Sequence, residues 1–268
     1  MFAVAQRAVR FRGLLVTLTQ RELQARYRGS ALGFLWSLVN PLLLTGVYSL
    51  VFGWVLTSGG RGFGIEPYAV FLVSGLFPWL WVSGALLEGT ASLVSNGALI
   101  RKAVFPVELP PLVSVFANLV HFCLALPILA GTLIVSRFLG FEVGGWGALL
   151  LPVVVVVQLP MIAGIALALS ALNVLFKDVR DLVQNGLTLV FFLAPIIYPL
   201  EGVPVSFVAT VVRLNPFTPF ILACQATLFR GEAPSLEVWG QMLLLSALFW
   251  VVGSWLFERL RSTLVEMA

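Results

Sequence analysis

Uncharged apolar runs of about twenty residues recur along this chain and restrict the folds available to it. A helix of this length crosses the ~30 Å hydrocarbon core of a bilayer and satisfies its own backbone hydrogen bonds there. With 60% hydrophobic and 10% charged residues, the chain has too little polar material to cover a soluble domain of its size. The sequence therefore predicts an all-α integral membrane protein. We predict six transmembrane spans, at residues 33–57, 67–90, 109–136, 146–172, 181–200 and 237–257.

Basic residues are distributed unevenly among the predicted loops. If the amino terminus lies inside, the cytoplasmic segments hold twelve of the sixteen lysines and arginines, and the outside segments hold four. Cytoplasmic loops of membrane proteins carry such an excess of Lys and Arg. We therefore predict that both termini face the cytoplasm.

Residues 1–30 are predicted to form an interfacial unit that precedes the transmembrane domain at 31–268. Within residues 6–28, four apolar side chains recur at helical spacing, and the arginines fall mainly on the opposite face. This pattern is typical of an amphipathic helix that lies in the membrane plane. A helix packed on a partner protein gives the same pattern, and the two interpretations are compatible. The apolar positions are Phe11, Leu14, Leu15 and Leu18.

Residues 201–236 form the longest predicted loop. They contain two short apolar pieces, 205–214 and 219–229, separated by Asn215-Pro216. Ten or eleven helical residues reach only about half the hydrocarbon core, so these pieces are predicted to enter the membrane and return. Re-entrant backbone is tolerated where it is buried in protein or lines a cavity, which makes this hairpin a functional candidate. The alternative is a pair of interfacial helices with no role in a pathway.

Catalytic and metal chemistry find little support. The single histidine, His121, lies in the third predicted span near Asn118, whereas a metal site needs several converging ligands. Neither Ser74 nor Ser83 lies in a Gly-x-Ser-x-Gly elbow, and no Gly-x-x-x-x-Gly-Lys-Ser/Thr loop is present. We predict no enzymatic site, cofactor or metal on this chain, and expect His121 and Asn118 to form interhelical hydrogen bonds.

Charged residues inside the predicted spans are nearly absent. Glu88 lies close to the cytoplasmic end of the second span, where we expect it to reach the interface. Ion-coupled carriers usually keep midplane carboxylates, and some channels keep charged filters, so both classes are disfavoured. No basic face suited to nucleic acid is present.

Aromatic side chains are plentiful within the spans. Sugar rings expose apolar C–H faces that stack on aromatic planes, while aromatic belts and cores occur in any membrane protein and remain the alternative. The candidates for lining a sugar path are Tyr48, Phe52, Phe77, Phe191, Phe192 and Tyr198.

A series of short motifs runs along almost the whole chain. RYRGSALG at 26–33 is followed by Trp36 and by Asn40-Pro41. GLFPW at 75–79, NGALIRK at 96–102, FP at 105–106, KDVRD at 177–181, PIIY at 195–198 and NP at 215–216 then follow in order. In this combination the chain resembles the permease subunit of ABC exporters for O-antigen, teichoic acid and related cell-surface polysaccharides.

The resemblance implies a homodimer in the bacterial cytoplasmic (inner) membrane, with two ATPase subunits on the cytoplasmic side that bind ATP and Mg²⁺. It also implies that an undecaprenyl-diphosphate-linked glycan passes through a channel at the dimer axis. The amphipathic helix and the loop 96–107 would contact the ATPase. The predicted coupling residues in that loop are Asn96, Arg101, Lys102, Phe105 and Pro106.

Arg26, Tyr27 and Arg28 lie where the interfacial helix turns into the first span. Guanidinium groups bind phosphate oxygens in a bidentate way that lysine does not reproduce, so we predict that these residues receive the lipid diphosphate. Anchoring of the topology or contact with the ATPase is the alternative.

Two other functions stay open. A permease for small molecules or lipids is the first, although no loop is long enough to hold the large extracytoplasmic domain that many lipid exporters carry. A membrane-embedded biosynthetic enzyme is the second, and it lacks candidate catalytic residues here.

Overall fold

The computed structural model describes residues 2–30, 32–55, 64–98, 105–202 and 206–267. These ranges form helices joined by turns and contain no strand. This result confirms the all-α class. The helices are α1 (Phe2–Arg10), α2 (Arg12–Tyr27), α3 (Trp36–Tyr48), α4 (Tyr68–Ser95), α5 (Leu109–Phe138), α6 (Leu151–Leu175), α7 (Val179–Phe192), α8 (Ser206–Leu214), α9 (Thr218–Gln225) and α10 (Leu236–Met267). π-Helical turns extend α3 over Ser49–Val55 and α9 over Ala226–Arg230, and a 3₁₀ turn at Trp146–Leu150 leads into α6.

Five helices in the described ranges are long and apolar enough to cross a bilayer. They correspond to the first four predicted spans and to the last one. Their bounds are Trp36–Val55, Tyr68–Ser95, Leu109–Phe138, Trp146–Leu175 and Leu236–Leu264.

The predicted continuous span at 181–200 is wrong, because α7 ends at Phe192. Its 14 residues cover about 21 Å, which is less than the hydrocarbon core. Pro195 cannot donate a helical hydrogen bond and disfavours a helical conformation at the residue before it. The chain then continues as turns up to the 3₁₀ helix at Leu200–Gly202.

Side chains from other parts of the chain donate hydrogen bonds to backbone carbonyl groups in the turns that follow α7. Asn215 Nδ2 donates to the Leu193 carbonyl at 3.1 Å, and Gln225 Nε2 donates to the Pro195 carbonyl at 2.7 Å. The Tyr68 hydroxyl donates to the Ile197 carbonyl at 2.9 Å. Non-helical backbone is stable at membrane depth only with such partners, so the hairpin and α4 support the broken helix.

Two short helices meet at 88° where the re-entrant hairpin was predicted, at Phe207–Leu214 and Thr218–Arg230. The corner is held locally, because Asn215 Oδ1 accepts from the Phe217 backbone N–H at 3.0 Å. The Thr218 hydroxyl donates to the Val212 carbonyl at 2.6 Å. The two-helix form of the hairpin is confirmed, and its insertion into the membrane stays a prediction.

The predicted single helix at 6–28 is divided at Phe11, whose φ is −99° and ψ is 21°. Backbone hydrogen bonds from Phe11 to Arg7 and from Leu15 to Phe11, both 2.9 Å, continue through this point, so it is a kink. The predicted apolar face is also divided, because Leu14 is exposed whereas Leu15 packs against the protein. Its position in the membrane plane stays a prediction.

α4 is the central helix of the bundle. In its most apolar stretch 78% of the residues are buried, against 11% for Trp36–Val55. The first span is therefore peripheral, and it leaves Leu43, Val47 and Trp54 exposed. An exposed apolar face of this kind faces lipid or another subunit.

α6 and α10 pack with their backbones in contact. A Cβ atom added to Gly253 would overlap the backbone of Gly164, and one added to Gly164 would overlap the Phe249 carbonyl. Small residues permit this close approach of transmembrane helices. The Ser246 hydroxyl adds a hydrogen bond to the Val157 carbonyl at 2.5 Å.

Candidate functional site

Five polar residues meet where α2 ends against α4 and α5, and we call them the Arg26 cluster. Arg26 Nη2 lies 2.5 Å from Glu88 Oε2, and Arg26 Nη1 lies 3.0 Å from His121 Nδ1. The Tyr27 hydroxyl lies 2.8 Å from His121 Nε2. Asn118 Nδ2 donates to Glu88 Oε2 at 2.5 Å. The cluster thus joins three helices through polar side chains.

The hydrogen bonds determine the protonation of His121. A guanidinium group only donates, so His121 Nδ1 must accept from Arg26. In a neutral imidazole the proton is then on Nε2, which donates to the Tyr27 hydroxyl oxygen. The Arg26 cluster therefore carries one positive and one negative charge, and its net charge is zero.

The cluster lies part-way along two long apolar helices. His121 is twelve residues from the start of α5, or about 18 Å along a helix of 30 residues. Ionisable residues within membrane helices usually pair with one another. Glu88 pairs with Arg26 and Asn118, and the expectation that it reaches the interface stays a prediction. His121 and Asn118 form interhelical hydrogen bonds as predicted.

A cavity of about 330 Å³, called cavity A, lies beside Arg26. It is bounded by the end of α2 and by α3, α4 and α5, and its wall combines polar groups with aromatic rings. Its lining includes Arg26, Tyr27, Ser30, Trp36, Asn40, Phe77, Trp81, Asn118 and His121. Arg28, the other predicted arginine, is exposed, and no ion pair engages it within the described residues.

A second cavity of about 470 Å³, called cavity B, lies towards the end of α4 that carries Asn96. It is lined by charged groups of both signs together with apolar side chains. The lining includes Arg21, Glu22, Glu88, Ser114, Phe105 and Arg180. Cavities A and B thus lie on either side of the Arg26–Glu88 ion pair.

Four of the six predicted sugar-path residues form one aromatic group. Tyr48 stacks on Phe191 with ring centroids 5.9 Å apart and lies 6.1 Å from Phe52, and Phe191 contacts Phe192 at 5.2 Å. The Tyr198 hydroxyl donates to the Phe192 carbonyl at 2.8 Å.

Three of these residues, Tyr48, Phe191 and Phe192, line a cavity of about 550 Å³ between α3, α4 and α7, called cavity C. Phe77 does not join them, because it lines cavity A instead. Sequence reasoning missed the polar groups of cavity C, which are Ser83, Gln184 and Thr188. Their signal was the four-residue spacing of Gln184 and Thr188, which places both on one face of α7.

The predicted coupling loop is described only in part, and Arg101 and Lys102 lie outside the described residues. Asn96 closes α4, because its Nδ2 donates to the Ser92 carbonyl at 2.8 Å. Phe105 is half-buried and Pro106 is buried, so the Phe105 ring is only partly available to a partner. Its docking role stays a prediction.

A second polar group, the Arg7 triad, was missed by sequence reasoning. Arg7 Nε lies 2.5 Å from Glu108 Oε1, and Arg7 Nη2 lies 2.5 Å from Glu258 Oε2. Glu108 is fully buried, and its Oε2 has no hydrogen-bond partner among the described residues. The triad ties α1 to the start of α5 and to α10. A glutamate at the edge of an apolar run was the available signal.

No group of three or more His, Cys, Asp or Glu side chains within the described part of the chain is arranged to hold a metal ion. The Arg26 cluster provides a charged group that can bind an anion, and cavities A and C provide aromatic surfaces.

Comparison with known proteins gives a consistent result. Residues 13–229 match the ABC-2 type transporter family. The O-antigen export system permease protein RfbA of Myxococcus xanthus is 34% identical over 99% of both chains. Two proteins of the same name from Klebsiella pneumoniae are 31% and 30% identical, over 95% of this chain and 94% of theirs. With its long apolar helices, the protein is a multi-pass membrane permease and not an enzyme. The chain therefore belongs to the ABC-2 type transporter family.

Proposed function

We propose that this chain is the permease subunit of an ATP-driven exporter that moves a lipid-linked polysaccharide, such as undecaprenyl-diphosphate-linked O-antigen, across the cytoplasmic membrane. The observation that carries this proposal is the near full-length similarity to three O-antigen export permeases. The aromatic cavity C adds support, because aromatic planes suit sugar rings of varied sequence.

ATP is hydrolysed on a separate chain in this proposal, since no phosphate-binding loop occurs in the sequence. Two such subunits, each with ATP and Mg²⁺, bind the cytoplasmic side of a permease homodimer. The exposed apolar face of α3 supports a second copy of the chain on that side. The basic loops support an orientation with both termini in the cytoplasm.

The coupling contact is proposed at residues 96–107 together with α1 and α2. Phe105 and Pro106 lie just before Glu108 in the chain. Glu108 belongs to the Arg7 triad, which joins this end of the loop to α1 and α10. A movement of the loop would therefore reach two other helices through side chains already in contact.

The lipid diphosphate is proposed to bind at Arg26, Tyr27 and Arg28. Cavity A supports this role, because it places a guanidinium group among hydroxyl, amide and imidazole groups. The glycan would then follow the aromatic group of Tyr48, Phe52, Phe191 and Phe192, three of which line cavity C, with Tyr198 bonded to the Phe192 carbonyl beside them.

Deletion of the gene in its own bacterium tests the proposal. We expect the polysaccharide to disappear from the cell surface while the lipid-linked glycan accumulates at the inner face of the membrane, and a plasmid copy should restore export. Surface glycan is measured by immunoblotting of whole cells, and the lipid-linked form by mass spectrometry of membrane extracts. Unchanged surface glycan together with increased sensitivity to small toxic molecules would instead identify a small-molecule exporter.

A further inference from the structure

We propose that Glu88 is a built-in competitor for the lipid diphosphate. Its carboxylate occupies Arg26 when no substrate is bound and gives way when the diphosphate arrives. This inference rests on the proposed headgroup role of Arg26, and it assigns to Glu88 control over how tightly, and how selectively, that headgroup is held.

The exposure of the ion pair makes it exchangeable. The side chains of Arg26 and Glu88 are 25% and 36% exposed, and each lines a cavity, so both charges are open to a ligand that enters there. Ion pairs of this kind are weak, because solvent competes for both partners. The Arg7–Glu108 pair differs, since the Glu108 side chain is 0% exposed and is fixed in place. Of these two pairs, the one beside cavity A is suited to opening.

The Arg26–Glu88 pair lies between cavity A and cavity B. Arg26 lines cavity A, and Glu88 lines cavity B, together with Arg21, Arg180 and Glu22. Cavity B therefore holds two positive and two negative side chains. Apart from Glu88, the charged side chains of cavity B are two arginines and one glutamate, and their net positive charge favours the Glu88 carboxylate once it leaves Arg26.

The neighbours of the pair lower the cost of the exchange. Glu88 Oε2 accepts from both Arg26 Nη2 and Asn118 Nδ2, so a carboxylate that turns away from Arg26 still has Asn118 as a hydrogen-bond partner. Arg26 keeps its contact with His121, which Tyr27 holds from the other side. A phosphate oxygen therefore replaces one carboxylate oxygen at Arg26 Nη2, and no polar group of the cluster is left without a partner.

Competition by a carboxylate also discriminates among anionic lipids. A headgroup with a single negative charge gains nothing over Glu88, whose charge is equal and already in place. A diphosphate carries more charge and more acceptor oxygens, and guanidinium groups bind such oxygens strongly. Selectivity thus comes from an element that disfavours the wrong ligand.

The test uses the full chain in phosphatidylcholine nanodiscs. Undecaprenyl diphosphate, phosphatidylglycerol and inorganic pyrophosphate are titrated separately, and bound ligand is counted by native mass spectrometry. For Glu88→Gln we expect undecaprenyl diphosphate to bind up to about fivefold more tightly, the change that follows from removing a competitor as weak as an exposed ion pair. We also expect detectable binding of phosphatidylglycerol. Glu142→Gln, the same change at an exposed site in the loop between α5 and α6, should bind like the unchanged protein.

The outcomes separate this inference from the headgroup site on which it rests. If Glu88→Gln binds undecaprenyl diphosphate equally or more weakly, while Arg26→Gln weakens binding, the competitor role is overturned and the site stands. If Arg26→Gln binds as tightly as the unchanged protein, the site itself fails. Inorganic pyrophosphate binding as tightly as the lipid would overturn a lipid headgroup as the ligand. Should Glu88→Gln not fold, Glu88→Asp retracts the carboxylate from Arg26 and should tighten binding to a smaller extent.

Discussion

Removing Arg7 should destabilise the protein far more than removing Arg26, although each arginine pairs with a glutamate at 2.5 Å. Arg7→Met leaves the Glu108 carboxylate fully buried with no ion-pair partner, and losing one partner of a buried pair costs about 3–5 kcal/mol. Arg26→Met leaves Glu88 with 36% of its side chain exposed and with Asn118 as a hydrogen-bond partner. That change should cost about 0–1 kcal/mol in unfolding free energy.

A double-mutant cycle measures how much of this destabilisation comes from the buried charge of Glu108. Glu108→Gln removes the buried charge, so the double variant Arg7→Met, Glu108→Gln should be more stable than Arg7→Met alone. We expect a coupling energy of about 2 kcal/mol between the two positions. The free energies are measured by unfolding purified protein from mixed micelles with increasing SDS, followed by circular dichroism. If Arg7→Met lowers the free energy of unfolding by less than about 1 kcal/mol, or if the coupling energy is near zero, Glu108 does not form a stabilising ion pair with Arg7.

Three further predictions concern packing, the hairpin and coupling. Gly253→Leu should cost at least about 1–3 kcal/mol in the same unfolding assay, because its side chain would enter the Gly164 backbone, whereas Gly240→Leu on the same helix meets open space and should change little. Asn215→Leu should cost about 1–3 kcal/mol, since it leaves the Leu193 carbonyl and the Phe217 N–H without their partner; no loss would show that water replaces it. Phe105→Asp should abolish substrate-stimulated ATPase activity of the purified complex while membrane insertion persists, and normal stimulation would exclude the docking role.

Hydrophobic length was enough to predict five of the membrane helices from the sequence, because it is a local property of the chain. The end of α7 at Phe192 was not predictable in the same way. Prolines are common in membrane helices and usually only kink them, so Pro195 alone did not indicate a break. The break is stable because Asn215, Gln225 and Tyr68 supply hydrogen bonds from distant parts of the chain. No local pattern carries that information.

The candidate site was predictable in its residue types and much less so in its pairings. Arg26 and the aromatic residues were found from their chemistry and their place near span ends. The pairing of Arg26 with Glu88 joins positions 62 residues apart, and that of Arg7 with Glu258 joins positions 251 apart. A lone glutamate in an apolar span does indicate a polar partner nearby, because ionisable residues in such spans usually pair with one another. It does not say which residue that partner is.

Reconstituted transport tests whether this permease exports a polysaccharide attached to a lipid diphosphate. The permease and its ATP-binding partner are placed in liposomes with the lipid-linked glycan, and ATP is supplied on the side of the ATPase. We predict ATP-dependent appearance of glycan at the opposite face, detected with an impermeant lectin, and its loss in a variant of the partner that cannot hydrolyse ATP. Glycan that stays on its original side while ATP is hydrolysed would show that this permease does not export it.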